Sequence, residues 1–458
     1  RTDFRWFYEV KQRSPGTLEP VSDPRFSLAT DEAFALVAQF GSPVYVVDEL
    51  GFQNRIGRYR AVLSAYWPRT EVSFASKANS TLALLRIADR AGATIDVASR
   101  GELEAALRAG VPASHCHLHG NNKSIDELAF ALEAGVSHIM IDHLSEIDMI
   151  ATCSRGETQF VLRVAPGVDP KTHAKISTGQ SDTKFGFNLS NGAAEQALLY
   201  AQALGIKIVG IHCHVGSQLM DGEAQENAAE LLGEWLIQMR ARYGLELDYL
   251  NVGGGLGVRY LASDSPETIE QYVDRVMGRL VPILKKAEIT PLIGMEPGRS
   301  LIAECGVTLY RVGVVKSAGD KTYVSVNGGL ADNPRPVMYG AKYQVELLRE
   351  SAWEYQTDGP GAMSFTVDVS EGAVVTIAGR HCETDTLFEN VELSRMPEPG
   401  DLIQVYTTGA YNSSMASNYN RFQRPATVLR RTNGEFALIQ RPETYDEMFA
   451  REILPEGL

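Results

Sequence analysis

The sequence lacks the features that mark membrane and nucleic-acid-binding proteins. It has no apolar run of about 18 residues or more, which argues against a transmembrane helix. Its 43 lysines and arginines are outnumbered by 57 aspartates and glutamates, giving a net charge of −14. Because neutralising phosphates requires clustered positive charge, this balance disfavours nucleic-acid binding. We therefore expect small-molecule partners, with no nucleic acid and no membrane.

Cysteine is also scarce. The five cysteines are an odd and widely spaced set, which predicts reduced thiols rather than a disulfide framework. The first residues, Arg1-Thr2-Asp3-Phe4-Arg5, are polar and lack the apolar core of a signal peptide. These features together predict a cytoplasmic protein.

What the chain does have is the composition of a folded globular protein and a recurrent strand–helix pattern. Of its 458 residues, 44% are hydrophobic and 22% are charged. Short β-branched runs alternate with amphipathic stretches, such as the one over Thr81–Ala88. The eight candidate strands are Glu71–Ser76, Thr94–Ala98, His115–His119, His138–Asp142, Phe160–Ala165, Lys207–His214, Asp248–Val252 and Pro291–Glu296. Eight such units predict a (β/α)₈ barrel, with a functional loop at Asp169–Asn188.

After about residue 305 the pattern changes to alternating segments without long helices, which predicts an antiparallel β domain. The candidate strands there are Val307–Val315, Thr322–Val326, Ser364–Val369, Leu402–Thr407 and Ala426–Arg430. A further candidate, Pro43–Val47, is compatible with either domain.

Polar side chains recur where the predicted barrel strands end, and in a barrel these ends converge on one site. In chain order the ends carry Lys77, Asp96 with Ser99, His119, Arg163, His214 with Ser217, Gly253-Gly254-Gly255, and Glu296 with Arg299. A lysine directly after an apolar strand suggests a carbonyl partner, although Lys77 by itself is better explained as a lysine reaching solvent from a loop.

Two further motifs near the strand ends have limited specificity. The glycine run Gly253-Gly254-Gly255 is not a dinucleotide-binding fingerprint, because that pattern requires a glycine at position 258, which is a valine. The run is compatible both with a phosphate-binding loop and with a tight turn that binds no ligand. The histidine clusters around His117 and His212 lack the usual spacing of zinc ligands, so we predict no metal. A histidine ring at a strand end can instead stack on an aromatic cofactor.

Taken in order, the motifs resemble the fold type III pyridoxal phosphate decarboxylases, and within them the diaminopimelate decarboxylase family. The resemblance spans nearly the whole chain and rests on Ser76-Lys77-Ala78-Asn79, His119-Gly120-Asn121-Asn122-Lys123-Ser124, Lys184-Phe185-Gly186-Phe187, His212 to Gln218, Gly253-Gly254-Gly255, Glu296-Pro297-Gly298-Arg299, Asn333 to Tyr339, His381-Cys382-Glu383 and Gly409-Ala410-Tyr411. It implies an alanine racemase-like fold: a barrel that binds pyridoxal 5'-phosphate over residues 50–304, a C-terminal β domain over 305–458, and an N-terminal segment, 1–49, packing with the β domain.

The resemblance also implies roles around the cofactor. Lys77 would bind it covalently through its amine and be displaced by the amine of the substrate. His214 would stack on the pyridine ring, and Glu296 would keep the pyridine nitrogen protonated, so that the ring accepts electrons when CO₂ leaves. An arginine at that position would favour racemisation. The phosphate would be bound by Ser217, Gly254, Gly255, Gly298 and Arg299.

The far end of the substrate distinguishes diaminopimelate from other diamino acids. By resemblance, Arg299, Arg335 and Tyr339 would hold the distal carboxylate, because a guanidinium forms paired hydrogen bonds with a carboxylate. Glu383 would take the distal ammonium, Cys382 would donate the proton that replaces CO₂, and Tyr411 would lie near cofactor and substrate. In relatives the Cys382-Glu383 segment reaches the neighbouring subunit's site, which implies a homodimer with shared sites.

The expected reaction is decarboxylation of meso-2,6-diaminopimelate to L-lysine and CO₂, the last step of lysine biosynthesis. Two alternatives stay open: a decarboxylase for another carboxylate-bearing amino acid, including one tethered to a carrier protein, and a non-catalytic homologue that regulates a true enzyme. The sequence departs from the common family pattern at Ser76, Ser80-Thr81, Asn327 and Thr384, and none of these positions has an assigned chemical role.

Overall fold

The computed structural model describes residues 25–168, 184–350 and 372–458. The described residues form two compact units: 50–258 with 265–302, and 25–49 with 259–264 and 303–458. Three predictions fall wholly or largely outside the described residues, namely the segment 1–24, the loop Asp169–Asn188 up to residue 183, and the strand Ser364–Val369.

Strands alternate with helices through the first 300 residues and predominate afterwards. In the described residues the strands are β1 (Val44–Asp48), β2 (Thr70–Ala75), β3 (Thr94–Val97), β4 (Cys116–Leu118), β5 (His138–Ile141), β6 (Gln159–Ala165), β7 (Phe187–Asn188), β8 (Ile208–His212), β9 (Tyr249–Asn251), β10 (Leu292–Met295), β11 (Gly306–Ala318), β12 (Lys321–Val326), β13 (Val345–Leu348), β14 (Ala373–Ala378), β15 (Thr386–Leu393), β16 (Leu402–Tyr406), β17 (Ala426–Arg430) and β18 (Phe436–Gln440). The α-helices are α1 (Thr30–Phe40), α2 (Glu49–Tyr66), α3 (Leu82–Arg90), α4 (Arg100–Arg108), α5 (Ile125–Ala134), α6 (Leu144–Thr152), α7 (Ala193–Ala203), α8 (Glu223–Tyr243), α9 (Ile269–Lys286), α10 (Arg299–Ile302), α11 (Arg335–Tyr339) and α12 (Tyr445–Phe449).

The first unit is a closed barrel of eight parallel strands. Their order is β5-β4-β3-β2-β10-β9-β8-β6, and pairing of β5 with β6 closes the ring. These are the eight strands predicted from the sequence, and the barrel is confirmed. Most strand positions are buried, as expected for parallel strands covered on both faces. The barrel therefore brings the carboxyl ends of all eight strands to one rim.

Local sequence signals explain where several barrel helices begin. The amphipathic stretch predicted over Thr81–Ala88 forms α3, which buries Leu84, Leu85, Ile87 and Ala88. Helix α5 begins after Ser124, whose hydroxyl accepts a hydrogen bond from Glu127 N at 3.2 Å. Because the Glu127 side chain accepts from Ser124 N in return, a capping box fixes this end.

The second unit contains a sheet of nine strands, and its mostly antiparallel pairing confirms the predicted antiparallel β domain. Strand β1 lies inside it, antiparallel to β11 and parallel to β17, which assigns the ambiguous candidate Pro43–Val47 to this sheet. The pairing of β12 with β14 is also parallel, whereas the remaining pairs are antiparallel. Strands β13, β14, β15 and β18 were not predicted. Among the residues that the structure describes, no helix has the length and apolar character needed to span a bilayer.

Candidate active site

Lys77 occupies a single 3₁₀ turn, Ser76–Ala78, directly after β2. Its two neighbours are buried and its own side chain is exposed. Ser76 Oγ donates a hydrogen bond to Glu102 Oε2 at 3.0 Å, and the same oxygen accepts from Ala98 N at 2.7 Å. The turn is thus tied to α4 through the residue that precedes Lys77, while the amine remains accessible at the carboxyl end of β2.

His214 follows β8 and is half-buried. Burial, and then the positive charge of Lys77, lower the pKa of His214 to about 3. The ring is therefore neutral at physiological pH, which suits stacking on a heteroaromatic ring better than a charged imidazolium would. Because Lys77 follows β2 and His214 follows β8, both lie at the same rim of the barrel.

Glu296 directly follows β10 and is held by three neighbours. His212 Nε2 donates to Oε2 at 2.9 Å, Asn251 Nδ2 donates to Oε1 at 2.9 Å, and His119 Nε2 lies 3.3 Å from Oε1. Burial would raise the pKa of Glu296, but the two histidines outweigh it and hold the pKa well below the ordinary value. The group is a buried, ionised carboxylate. Its three neighbours are protein side chains, and the absence of a metal ion here stays a prediction.

The contacts continue from His119 into the barrel. His119 Nε2 lies 3.6 Å from Asp96 Oδ1. The same Asp96 oxygen lies 3.3 Å from His117 Nδ1. On the other side of its ring, His117 Nε2 lies 3.6 Å from Glu71 Oε1. Burial would lower the pKa of His119, but Glu296 and Asp96 raise it to about 9. His119 is therefore charged at neutral pH. Acidic and basic groups alternate along this buried row.

Glycines bring the backbones after β9 and β10 close together. A Cβ atom on Gly254 would lie 2.2 Å from the carbonyl oxygen of Glu296, and Gly253 adopts a φ of +74°. Gly255 has a φ of +140°, and a Cβ atom there would lie 2.9 Å from both Gly216 O and Leu219 Cδ1. On Gly298, a Cβ atom would approach Ala75 Cβ at 3.1 Å. Side chains are excluded here, so the backbone itself forms this part of the rim.

A hydroxyl and a guanidinium meet at the same rim. Arg299 Nη2 donates to Ser217 Oγ at 3.0 Å. Arg299 begins the short helix α10, directly after Gly298. Together with the glycine backbone, these two side chains form a polar, positively charged surface of the kind that binds phosphate.

The remaining predicted residues belong to the second unit. Arg335, at the start of α11, is buried and donates from Nη1 to the hydroxyls of Tyr260 at 2.8 Å and Tyr343 at 2.6 Å. Tyr339, at the end of the same helix, is 63% exposed. Tyr411 adopts a left-handed φ of 62°, which is uncommon for a tyrosine and sets the direction of its side chain.

Cys382 and Glu383 are both exposed and lie in one turn of the second unit. The backbone N–H of Cys382 donates to Asn420 Oδ1 at 3.0 Å. Glu383 Oε1 accepts from the Tyr419 hydroxyl at 2.5 Å. A thiol and a carboxylate are thus presented to solvent side by side on a fixed backbone.

The groups at the barrel rim fit pyridoxal phosphate. They comprise an accessible amine, a neutral imidazole, a buried ionised carboxylate, and a glycine backbone beside Ser217 and Arg299. The amine suits the aldehyde of the cofactor, the imidazole suits its flat ring, the carboxylate suits its pyridine nitrogen, and the glycine backbone with Ser217 and Arg299 suits its phosphate. The sequence found Lys77, His214 and Glu296 from their positions at strand ends.

Several contributors were missed because their contacts join distant strands. His212 was weighed as a metal ligand and named within a family motif without a role, and Asn251 was assigned no role; both bind Glu296. Tyr260 and Tyr343, which hold Arg335, gave no sequence signal. The sequence offered one signal for His212 and Asn251: each is a polar residue at the end of a barrel strand, where side chains can reach the site.

Known proteins resemble this chain throughout its length. Residues 52–303 match the family model of the pyridoxal binding domain of pyridoxal-dependent decarboxylases. The diaminopimelate decarboxylase of Bacillus subtilis is 38% identical over 425 residues, covering 91% of this chain and 92% of that protein. The diaminopimelate decarboxylase of Methanocaldococcus jannaschii is 33% identical over 447 residues, covering 96% of this chain and 97% of that protein.

The fold agrees with these relatives. The crystal structure of diaminopimelate decarboxylase from M. jannaschii in complex with L-lysine matches with a TM-score of 0.84 and 31% identity, covering 96% of this chain and 98% of that one. The chain therefore belongs to the pyridoxal-dependent decarboxylases, and within them to the diaminopimelate decarboxylase family, whose cofactor is pyridoxal phosphate.

Proposed function

We propose that this protein decarboxylates meso-2,6-diaminopimelate to L-lysine and CO₂. The observation that carries the proposal is the ionised Glu296 carboxylate, buried at the barrel rim that also bears Lys77 and His214. An ionised acid facing a pyridine nitrogen keeps that nitrogen protonated, which decarboxylation requires. The relatives named above carry the same activity in their names, and one was solved with the product L-lysine.

At the barrel rim, Lys77 would hold the cofactor, which when bound supplies an electron sink for the bond to CO₂. Neutral His214 would pack against the ring without adding charge. Ser217, Gly254, Gly255, Gly298 and Arg299 would bind the phosphate through N–H and O–H donors and one positive charge. Binding of the phosphate by these residues would orient the pyridine ring relative to Glu296.

The resemblance to the family also assigns the substrate-binding residues. Arg335 and Arg299 would bind the distal carboxylate with Tyr339, and Glu383 the distal ammonium. Tyr411 would lie near the cofactor and substrate, and the thiol of Cys382 would deliver the proton that replaces CO₂. Two arginines disfavour a substrate with a cationic distal end, so ornithine, arginine and lysine should be poor substrates.

The test is release of CO₂ and L-lysine from purified protein supplied with pyridoxal phosphate. We expect turnover of meso-diaminopimelate and none of lysine, ornithine or arginine. Cofactor binding without turnover of diaminopimelate would overturn the substrate assignment, and failure to bind the cofactor would overturn the proposed activity.

We further propose that the protein is a cytoplasmic homodimer whose sites are shared. The five cysteines are free, which suits a reducing compartment. Mixing two inactive variants, Lys77→Ala and Cys382→Ala, tests the sharing. If Cys382 acts in the partner's site, subunit exchange should restore activity to about a quarter of the original, because half of the dimers would contain one intact site. Absence of recovery in exchanged dimers would contradict it.

A further inference from the structure

The row of buried acids and bases described above has a consequence for the carboxylate at its end. Asp96 and Glu296 come from the ends of β3 and β10, and His119 lies between them after β4. All three are buried. We propose that His119, backed by Asp96, is a positioning residue that keeps Glu296 ionised and thereby favours the proton on the pyridine nitrogen of the cofactor. This inference rests on the proposed role of Glu296.

The charges support this assignment. Burial and Glu296 would raise the pKa of Asp96, but contacts with His117 and His119 lower it. Asp96 and Glu296 are therefore both negative, and His119 is positive. The three groups leave one net negative charge in the barrel interior, which a protonated pyridine nitrogen would neutralise. Without His119, two buried carboxylates would face each other with no cation between them, and one would take up a proton.

The sign of the effect follows from where His119 makes contact. A carboxyl group and a pyridine nitrogen that share one proton have two arrangements, with the proton on the oxygen or on the nitrogen. His119 contacts the carboxylate oxygen itself at 3.3 Å. A positive charge there stabilises the negative oxygen, and hence the arrangement with the proton on nitrogen.

His119 has a role distinct from those of the other groups near Glu296. His212 faces Glu296 from β8, and its ring packs edge-on against that of His119 with centroids 5.0 Å apart. Burial lowers the pKa of His212, so it is a neutral hydrogen-bond donor. Asn251 is likewise neutral. Arg163, on β6, acts on Glu296 only at longer range. The contacts with His212 and His119 both lower the pKa of Glu296, His212 first. Because the pKa of His212 is itself lowered and that of His119 is raised to about 9, His119 is the one of the two histidines that carries a positive charge at neutral pH.

The test begins with the cofactor-free protein, where the readout does not depend on catalysis. Infrared difference spectra between each protein and its Glu296→Gln counterpart report whether Glu296 is protonated. We expect no carboxylic acid band from Glu296 at neutral pH in the unsubstituted protein, and a clear band in His119→Gln. His138→Gln is the matched control, because His138 is buried in the same barrel, is kept neutral by burial, which lowers its pKa to about 3, and packs against His117 rather than Glu296. A Glu296 that stays ionised in His119→Gln would overturn the inference.

The second readout is the ¹⁵N chemical shift of ring-labelled pyridoxal phosphate bound to the holoenzyme. In His119→Gln the shift should move from the protonated value toward the neutral one, and kcat should fall about ten- to a hundredfold, as for other partners that orient a functional ligand, with little change in KM. An unchanged shift would contradict the inference. If the unsubstituted protein binds no cofactor, the proposed function is wrong. The infrared result, obtained without cofactor, would still show whether His119 keeps Glu296 ionised.

If His119→Gln does not fold, the unsubstituted protein still provides a test. His119 should give an imidazolium ¹⁵N signal that persists well above the ordinary histidine pKa, because its pKa is raised to about 9. The pKa of His117 is also raised, so the signal must be assigned to His119 by residue. If all nine histidines were neutral at about pH 8, the inference would be wrong.

Discussion

Asp385 Oδ2 lies 2.5 Å from His381 Nδ1, and this contact closes the turn that carries Cys382 and Glu383. The same carboxylate accepts from His381 N at 3.1 Å and from Leu330 N at 2.8 Å. A Cβ atom on Gly329 would lie 2.0 Å from it, so the site admits only glycine there. A buried acid therefore fixes the backbone that presents the thiol and the carboxylate.

Replacing Asp385 with asparagine should loosen this turn without affecting cofactor binding. Because a buried, hydrogen-bonded charge is lost, we expect a loss of about 2–4 kcal/mol in the free energy of unfolding. We also expect kcat to fall at least tenfold, while the absorbance of bound cofactor is unchanged. Asp446→Asn, at an exposed acid in α12, is the control. A variant with normal kcat would show that the turn needs no such support.

Cys382 should be the most reactive of the five cysteines toward iodoacetamide. It is exposed and Cys153 is half-buried, whereas Cys116, Cys213 and Cys305 are buried. Burial also raises the pKa of Cys116 and Cys213 to about 12, which removes their thiolate at neutral pH. Peptide mass mapping after brief labelling shows the order in which the five cysteines react. If Cys382 lies in the substrate site, L-lysine should slow its labelling and leave Cys153 unaffected; equal rates would place it elsewhere.

Lys77→Ala should abolish covalent attachment of the cofactor. Borohydride reduction of the unsubstituted holoenzyme should fix pyridoxal phosphate to the peptide containing Lys77, as mass spectrometry can show. The variant should retain no reduced cofactor and lose essentially all turnover, because the amine is the attachment point. Lys207→Ala changes another exposed lysine of the same barrel and should behave like the original protein. Attachment that persists in Lys77→Ala would move the role to another lysine.

The barrel could be predicted from the sequence because each strand is a short apolar run followed by a helix. The β domain was predicted less completely, since β13 pairs with β16 and β14 with β12, and both partners lie far away in the chain. Strand β15 pairs with the adjacent β14 and was missed together with it. The same limit applies to the site. The positions of Lys77 and Glu296 follow from local sequence, whereas contacts such as His212 to Glu296 join strands 84 residues apart.

The structure also accounts for two departures from the family pattern that the sequence left unexplained. Asn327 Nδ2 donates to Ser42 O at 2.7 Å, and its Oδ1 accepts from Arg311 N at 2.9 Å. An aspartate at this position would lack the donor, so the amide is what joins these segments. Ser76 is explained by its hydrogen bond to Glu102, which links the Lys77 turn to α4.

Ser76→Ala should therefore destabilise the protein modestly. The lost hydrogen bond has an ionisable acceptor, but Glu102 is only half-buried and keeps its bond from Ala98 N. We expect a loss of about 1–2 kcal/mol in the free energy of unfolding, measured with urea. Ser64→Ala, at an exposed helix serine, should cost less than about 0.5 kcal/mol. Equal losses in the two variants would show that the Ser76 contact contributes nothing.

Asp332 should make the stability of the protein fall as the pH rises toward neutrality. Burial raises its pKa to about 7, against the hydrogen bonds that it accepts from the Tyr310 hydroxyl and Gly329 N. Between the ordinary value of 3.8 and about 7, the folded state therefore holds a proton that the unfolded state has released. Stability is lost through this window as the pH rises, by about 1.4 kcal/mol per unit of pKa difference.

Asp332→Asn removes this titration, so urea unfolding across the window should show the variant gaining stability relative to the original protein as the pH increases. Asp320→Asn, which replaces an exposed aspartate, is the control and should give a curve parallel to that of the original protein. If the curves for Asp332→Asn and the original protein were also parallel, the Asp332 carboxyl would have the same proton affinity folded and unfolded. Its burial among Tyr310 and the Gly329 backbone would then be energetically neutral, contrary to the cost expected for an ionised group in that position.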